Sequence, residues 1–235
     1  MIEVEICANS KASAYAAKEG GAQRIELCTN LECGGLTPSE EEVEYCVREL
    51  GLRTHVLVRP RAGDFCYSPA EVEEMMASVE MCRRMGAAAV VVGFLDSKGH
   101  VDVELTRRFV RLAAPMEVTF HRAFDEARQE PLEALRAVCE AGCHRLLTSG
   151  QRPTALEGAA VIRQLVEADL PIKILAGSGV TPDNVRQLIE ATGVTEVHGS
   201  CKTTMHDGTM QTDAALVRRM IGSLTPSPLS ERRGE

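Results

Sequence analysis

Three side chains able to do chemistry arrive within five residues of one another: His121, Arg122 and Asp125, at the end of Val118-Thr119-Phe120-His121-Arg122-Ala123-Phe124-Asp125. An imidazole titrates near neutrality, so His121 is a candidate general base or ligand. Carboxylates that could orient or charge it are Asp125, Glu5 and Glu26, and these four are the candidate catalytic groups. A second set suits an anion. Arg59 and Arg61 sit in Arg59-Pro60-Arg61-Ala62-Gly63-Asp64-Phe65, a loop with two guanidiniums and a glycine that permits sharp turning. Gly177-Ser178-Gly179 precedes Thr181-Pro182, where small residues let backbone N–H groups approach a phosphate beside a helix start. Thr148, Ser149, His198 and Ser200 add polar groups at the ends of two further strands. A third set is soft. Cys7 and Cys28 hold matching places on neighbouring strands about 4.8 Å apart, a spacing at which two thiolates can share Cu(I). Residue type alone favours the plainer account, two small buried apolar side chains.

The elements that must position these groups follow from periodicity. Ile2, Val4 and Ile6 alternate with Glu3, Glu5 and Cys7, and a helical stretch from about Ser10 to Gly20 follows. Arg24 to Cys28 repeats the alternation, with Ile25 and Leu27 toward the helices and Arg24, Glu26 and Cys28 on the other face. Thr37-Pro38-Ser39-Glu40 predicts a helix capped by Thr37, running to about Gly51, and Ser68-Pro69-Ala70-Glu71 predicts another to near Gly86. Strands are expected at His55 to Pro60, Ala88 to Phe94, around Val118 to His121, His144 to Thr148, Ile172 to Ala176 and Val194 to His198. Helices are expected at Asp102 to Ala113, Pro131 to Gly142, Thr154 to Ala168 and from Thr181 onward. Eight strands alternating with helices at a repeat of roughly 25 to 30 residues predict an α/β chain folded as a single (β/α)8 TIM-type barrel over residues 1–222, with 223–235 as a flexible tail. An open doubly wound sheet is disfavoured, because no G-x-G-x-x-G follows the first strand. Parallel strands covered by helices are ordinarily apolar on both faces, so the polar inner face means that the barrel encloses something polar. The alternative is an internal charge layer that neutralises itself. Burying several charges costs several kcal/mol each unless the geometry is very good, which favours a ligand-binding mouth at the strands' carboxyl ends.

The totals narrow the classes. With 235 residues, 44% of them hydrophobic, the chain can bury a full core. A net charge of -8 and scattered histidines give no basic stripe for a nucleic acid. Met1 leads straight into a strand pattern, so neither a signal peptide nor a membrane span is expected and the chain is placed in the cytoplasm. There its nine cysteines, none in a C-x-x-C, are expected as free thiols. His55, His100, His144 and His206 are read as surface or packing residues. Met75, Met76 and Val79 predict an apolar helical face on which copies could associate as a homo-oligomer.

Several segments together resemble the CutC family of copper-homeostasis proteins. They are Glu5-Ile6-Cys7, Gly20-Gly21-Ala22-Gln23-Arg24-Ile25-Glu26-Leu27-Cys28, Gly34 to Ser39, Arg59 to Phe65, Thr119 to Asp125, Leu147-Thr148-Ser149-Gly150, Ala176 to Val180, and His198. The resemblance covers most of the chain before the tail. It implies a cytoplasmic (β/α)8 barrel with a copper connection, in which Cys7 and Cys28 match the proposed Cu(I) ligands. The sequence departs from the family at His198-Gly199-Ser200-Cys201, where His-Ser-Ser-Ala is more usual. Two functions follow from different classes. One is Cu(I) binding by thiolates. The other is an enzyme acting on a small anionic or phosphorylated metabolite, which would use the whole ring of Glu, Arg and His.

Overall fold

The computed structural model describes residues 2–206 and 208–224. Eight parallel strands, β1 (Glu3–Ala8), β2 (Arg24–Leu27), β3 (Arg53–Leu57), β4 (Ala89–Val92), β5 (Glu117–Phe120), β6 (Arg145–Thr148), β7 (Lys173–Gly177) and β8 (Glu196–Gly199), pair in sequence order. β1 closes the ring by pairing with β8, so the predicted barrel is the observed one. Helices α1 (Lys11–Glu19), α2 (Glu40–Glu44), α3 (Pro69–Met85), α4 (Val103–Ala113), α5 (Pro131–Glu140), α6 (Ala159–Glu167), α7 (Val185–Thr192) and α8 (Ala214–Leu224) follow the strands in turn. Outward residues such as Ile6, Ile25, Val90, Val118, Phe120 and Leu146 form one buried layer with the helices' inner faces. That shared burial is the main force holding helices to sheet.

Local chemistry sets the starts and stops. Ser68 accepts from the Glu71 N–H while Glu71 reaches back to the Ser68 N–H, Pro69 occupies the first turn, and Gly86 ends α3 at φ 84°. The expected cap of α2 is displaced. Ser39, not Thr37, makes the capping box, with Glu42, because the Thr37 hydroxyl is engaged with the backbone of Arg59. α2 continues as a π-helical turn, Tyr45–Glu49. β3 also lies earlier than expected. The Arg59 N–H is taken by Thr37 and Pro60 has none to give, so the ladder ends before them. α6 starts later than Thr154, because Gly158 must first pass against Ser149, where a Cβ would lie 1.9 Å from the carbonyl oxygen. The Asn184 side chain accepts from the Thr181 N–H, closing a turn that delays α7.

A two-stranded antiparallel hairpin, β9 (Lys202–Thr204) and β10 (Met210–Thr212), follows β8 and was not foreseen. Ser223 and Leu224, the first residues of the expected tail, belong to α8; the tail from 225 lies outside the described residues. The apolar face expected to join copies turns inward: Met75 and Val79 are buried and Met76 packs against the core. The homo-oligomer expectation loses that support.

Charge fills the amino-terminal end of the barrel. Arg24, Arg53, Arg145 and Lys173 face Glu3, Glu5, Glu117 and Glu196. Arg24 reaches Glu3 and Glu5 at 2.9 Å and Glu196 at 2.6 Å, and Arg145 reaches Glu196 at 2.6 Å and Glu117 at 3.1 Å. Burial opposes ionisation of Glu196, but Arg145 and Arg24 bring it down to about 2. His55, expected as mere packing, is fully buried beside this layer, 2.9 Å from Glu5. The polar inner face is thus divided by depth: a self-neutralising base below and an open mouth above.

Candidate functional site

The mouth at the carboxyl ends of the strands is a cavity of about 840 Å³. Of the residues singled out from sequence, Cys7, Glu26, Arg59, His121, Asp125, Ser178, Gly179, His198 and Ser200 line it. Glu5, Cys28, Arg61, Thr148, Ser149 and Gly177 stand outside its lining, each for a visible reason.

Glu5 lies beneath, in the charged base. Burial opposes its ionisation, yet His55, His198 and Arg24 hold it well below the usual carboxylate range. It is held as an anion within the charged base. Arg61 turns outward, giving its N–H groups to Glu71 and Asp64 over the Tyr67 ring. Arg59 lines the wall but spends its terminal nitrogens on the carbonyls of Cys33, Gly35 and Gly63, so it is a clamp for two loops. Asp125 accepts from the Thr148 and Ser149 hydroxyls and from the N–H groups of Ser149 and Gln151, and it pairs with Arg122. Those contacts consume Asp125, Thr148 and Ser149 in fastening one loop to another. Near strand seven, the Ser178 hydroxyl donates to the Pro153 carbonyl and the Thr181 N–H donates to Asn184, so these two groups of the expected phosphate grip are engaged within the loops. Gly177 gives room: a Cβ there would meet Leu147 at 2.5 Å and His198 at 3.2 Å.

Four groups remain at the floor and wall. His198 comes from β8; its Nδ1 is 2.8 Å from Glu5 Oε1, and its ring also hydrogen-bonds Cys7. Burial disfavours its cation, but Cys7, Glu26 and Glu5 raise it well above the usual imidazole range. Cys7 stands beside it, with its thiol raised by the hydrogen bond to Cys28 and by burial. The two sulfurs are 3.8 Å apart, and Cys28 is fully buried behind Cys7 among Leu57 and Val91. Burial pushes Glu26 up to about 7. Cys7, Glu26 and His198 each present one ligand atom within 4.8 Å of the other two, a set that could hold a metal ion.

His121, expected as a general base or a ligand, is anchored through its own ring nitrogen. Its Nδ1 accepts from the Ala123 N–H at 3.0 Å, which places the ring hydrogen on Nε2. The ring packs on Phe65, with centroids 4.9 Å apart, and burial reinforced by Arg59 brings it down to about 3. At neutral pH it is a fixed, uncharged donor.

Sequence reading missed part of the wall. Met210 and Lys202 come from the β9–β10 hairpin, Leu31 and Cys33 from a single 3-10 turn after β2, and Phe65 from the loop after β3. The Asp207-Gly208 dipeptide was the available signal for the hairpin.

Comparison with known proteins agrees with this architecture. A family model described as the CutC family matches residues 2–203. A family protein CutC of Chromobacterium violaceum is 50% identical over 200 residues, covering 85% of this chain and 81% of that one. One of Bacteroides fragilis is 43% identical over 206 residues, covering 87% and 82%. Among solved structures, the chain resembles a protein named for copper homeostasis, CutC from Streptococcus agalactiae, at a TM-score of 0.80 and 30% identity, covering 85% of this chain and 99% of that one.

Proposed function

The chain belongs to the CutC family, and from that premise we propose that it serves copper homeostasis in the cytoplasm by holding Cu(I) at the floor of the barrel mouth. The observation that carries this reading is the 3.8 Å separation of the Cys7 and Cys28 sulfurs. Thiolates are the soft donors that Cu(I) prefers. With metal–sulfur bonds of about 2.3 Å, a linear pair would stand about 4.6 Å apart, so a shorter separation fits a bent arrangement completed by a third donor. His198 would supply it: Glu5 holds Nδ1, the carboxylate–histidine arrangement common behind metal ligands, and the ring already hydrogen-bonds Cys7. No helix among the described residues is long and apolar enough to cross a membrane.

Binding must displace protons, because Cys7 is held as a thiol and His198 as a cation in the metal-free protein. Cu(I) affinity is therefore expected to rise with pH. A chelator-competition titration with Cu(I) across neutral pH checks it, and an affinity independent of pH would count against these ligands. In the same assay, Cys7→Ser with Cys28→Ser should abolish binding while the circular dichroism spectrum is retained. Unchanged affinity in the double variant would sink the site. Glu26, a hard oxygen donor in the three-residue set with Cys7 and His198, favours a second reading with a borderline ion such as Zn(II). Under that reading Glu26→Gln weakens Zn(II) binding more than Cu(I) binding, and Cys28→Ser does the reverse.

A further inference from the structure

Cu(I) on Cys7, Cys28 and His198 would use only a corner of the mouth. A cavity of about 840 Å³ falls in the range of organic ligand sites, roughly 300–1,000 Å³. Three polar atoms on its lining residues also stay unused: Arg59 Nε, on a side chain already clamped by three carbonyls, and two others. Glu26 Oε2 and His121 Nε2 have no hydrogen-bond partner among the described residues, although Glu26 is only 6% and His121 only 5% exposed. Buried polar groups left unpaired are costly, so a ligand that pairs them gains by it.

The two atoms differ in kind. With Nδ1 taken by the Ala123 N–H, His121 Nε2 bears the hydrogen and can only donate. Its ring is held in place: Phe65 packs on it, and Gly93 on β4's end leaves it room, since a Cβ at Gly93 would lie 2.3 Å from the ring carbon Cε1. Glu26 Oε2 offers an acceptor from β2. The cavity lining also includes the apolar side chains of Leu57, Phe65 and Leu147. We infer that the mouth also binds a small hydroxy-carbonyl compound, its carbonyl or carboxylate oxygen accepting from His121 Nε2, its hydroxyl facing Glu26, and its carbon chain lying on the apolar wall. The inference is independent of the copper reading, because neither atom is among the proposed Cu(I) donors.

The test uses the copper-free full-length chain with ¹⁵N-labelled histidine and two probes, dihydroxyacetone as the ketone and glycerate as the acid. At least one probe should shift the His121 Nε2 resonance saturably at millimolar concentration; which one responds tells whether the oxygen is a ketone's or a carboxylate's. Glu26→Met, which has no oxygen acceptor, should weaken that probe about tenfold by the same resonance, and His121→Ala should weaken it about tenfold by calorimetry, as the loss of one hydrogen bond does. The inference is overturned if neither probe moves the His121 signal, or if Glu26→Met, with its fold intact, binds the probe as tightly as the parent. Because copper is excluded throughout, failure here leaves the Cu(I) proposal to its own titration.

Discussion

Gly93 has no side chain where His121 needs the space. Replacing it with alanine would place a methyl 2.3 Å from the ring's Cε1 and 2.8 Å from Ala123 Cβ, so the ring must leave and its bond to the Ala123 N–H must break. Gly93→Ala is expected to destabilise the chain by about 1–3 kcal/mol in urea unfolding, the usual cost of overpacking. His121 also contributes an acid limb. Its folded-state value, about 3, lies below the ordinary 6.5, so the unfolded chain takes up the proton first. Stability attributable to the neutral ring is complete above pH 6.5 and declines as pH falls toward 3. His121→Gln should flatten that limb in urea titrations from pH 7 to pH 4. None of this was legible in the sequence, where His121 and Arg122 next to Asp125 read as an acid–base cluster. Ring orientation is decided by one backbone N–H and one glycine on another strand, and neither leaves a mark at position 121.

At the level of elements, legibility followed the range of the interaction. Ser68-Pro69-Ala70-Glu71 was read correctly because its whole logic lies within four residues. Ser68→Ala should cost about 1 kcal/mol in thermal or urea unfolding. Thr37 offered the same pattern, but a contact with Arg59, 22 residues away, took its hydroxyl. The charged base is the extreme case: Arg24 meets Glu196 across 172 residues. Alternation showed that these groups face inward, not which end of the barrel they fill or with whom they pair. Removing one member of a buried set leaves charge uncompensated, so Arg145→Met should destabilise by about 3–5 kcal/mol. The pH dependence has a definite sign. Glu196 is depressed to about 2, so the stability it contributes is present above the ordinary carboxylate range and is lost as pH falls toward 2. In Glu196→Gln that acid-sensitive component should disappear.

For the whole molecule, eight strand signals at an even repeat were enough to specify the barrel, because each unit needs only period-two and period-3.6 patterning to find its place. The mouth's population was less legible, since loops and a hairpin supply much of its wall. If the mouth holds Cu(I), folding and binding are linked: at a free ion concentration about a hundred times Kd, the folded state gains about 2.7 kcal/mol, measurable as a raised unfolding midpoint. The closed base has a further consequence for traffic. Arg24, Arg145, Glu5 and Glu196 are at most 2% exposed, so the barrel is a blind well and not a conduit. Whatever enters the mouth must leave by the same opening. A donor and a recipient of the cargo would then have to visit one face in turn, and each would exclude the other while docked.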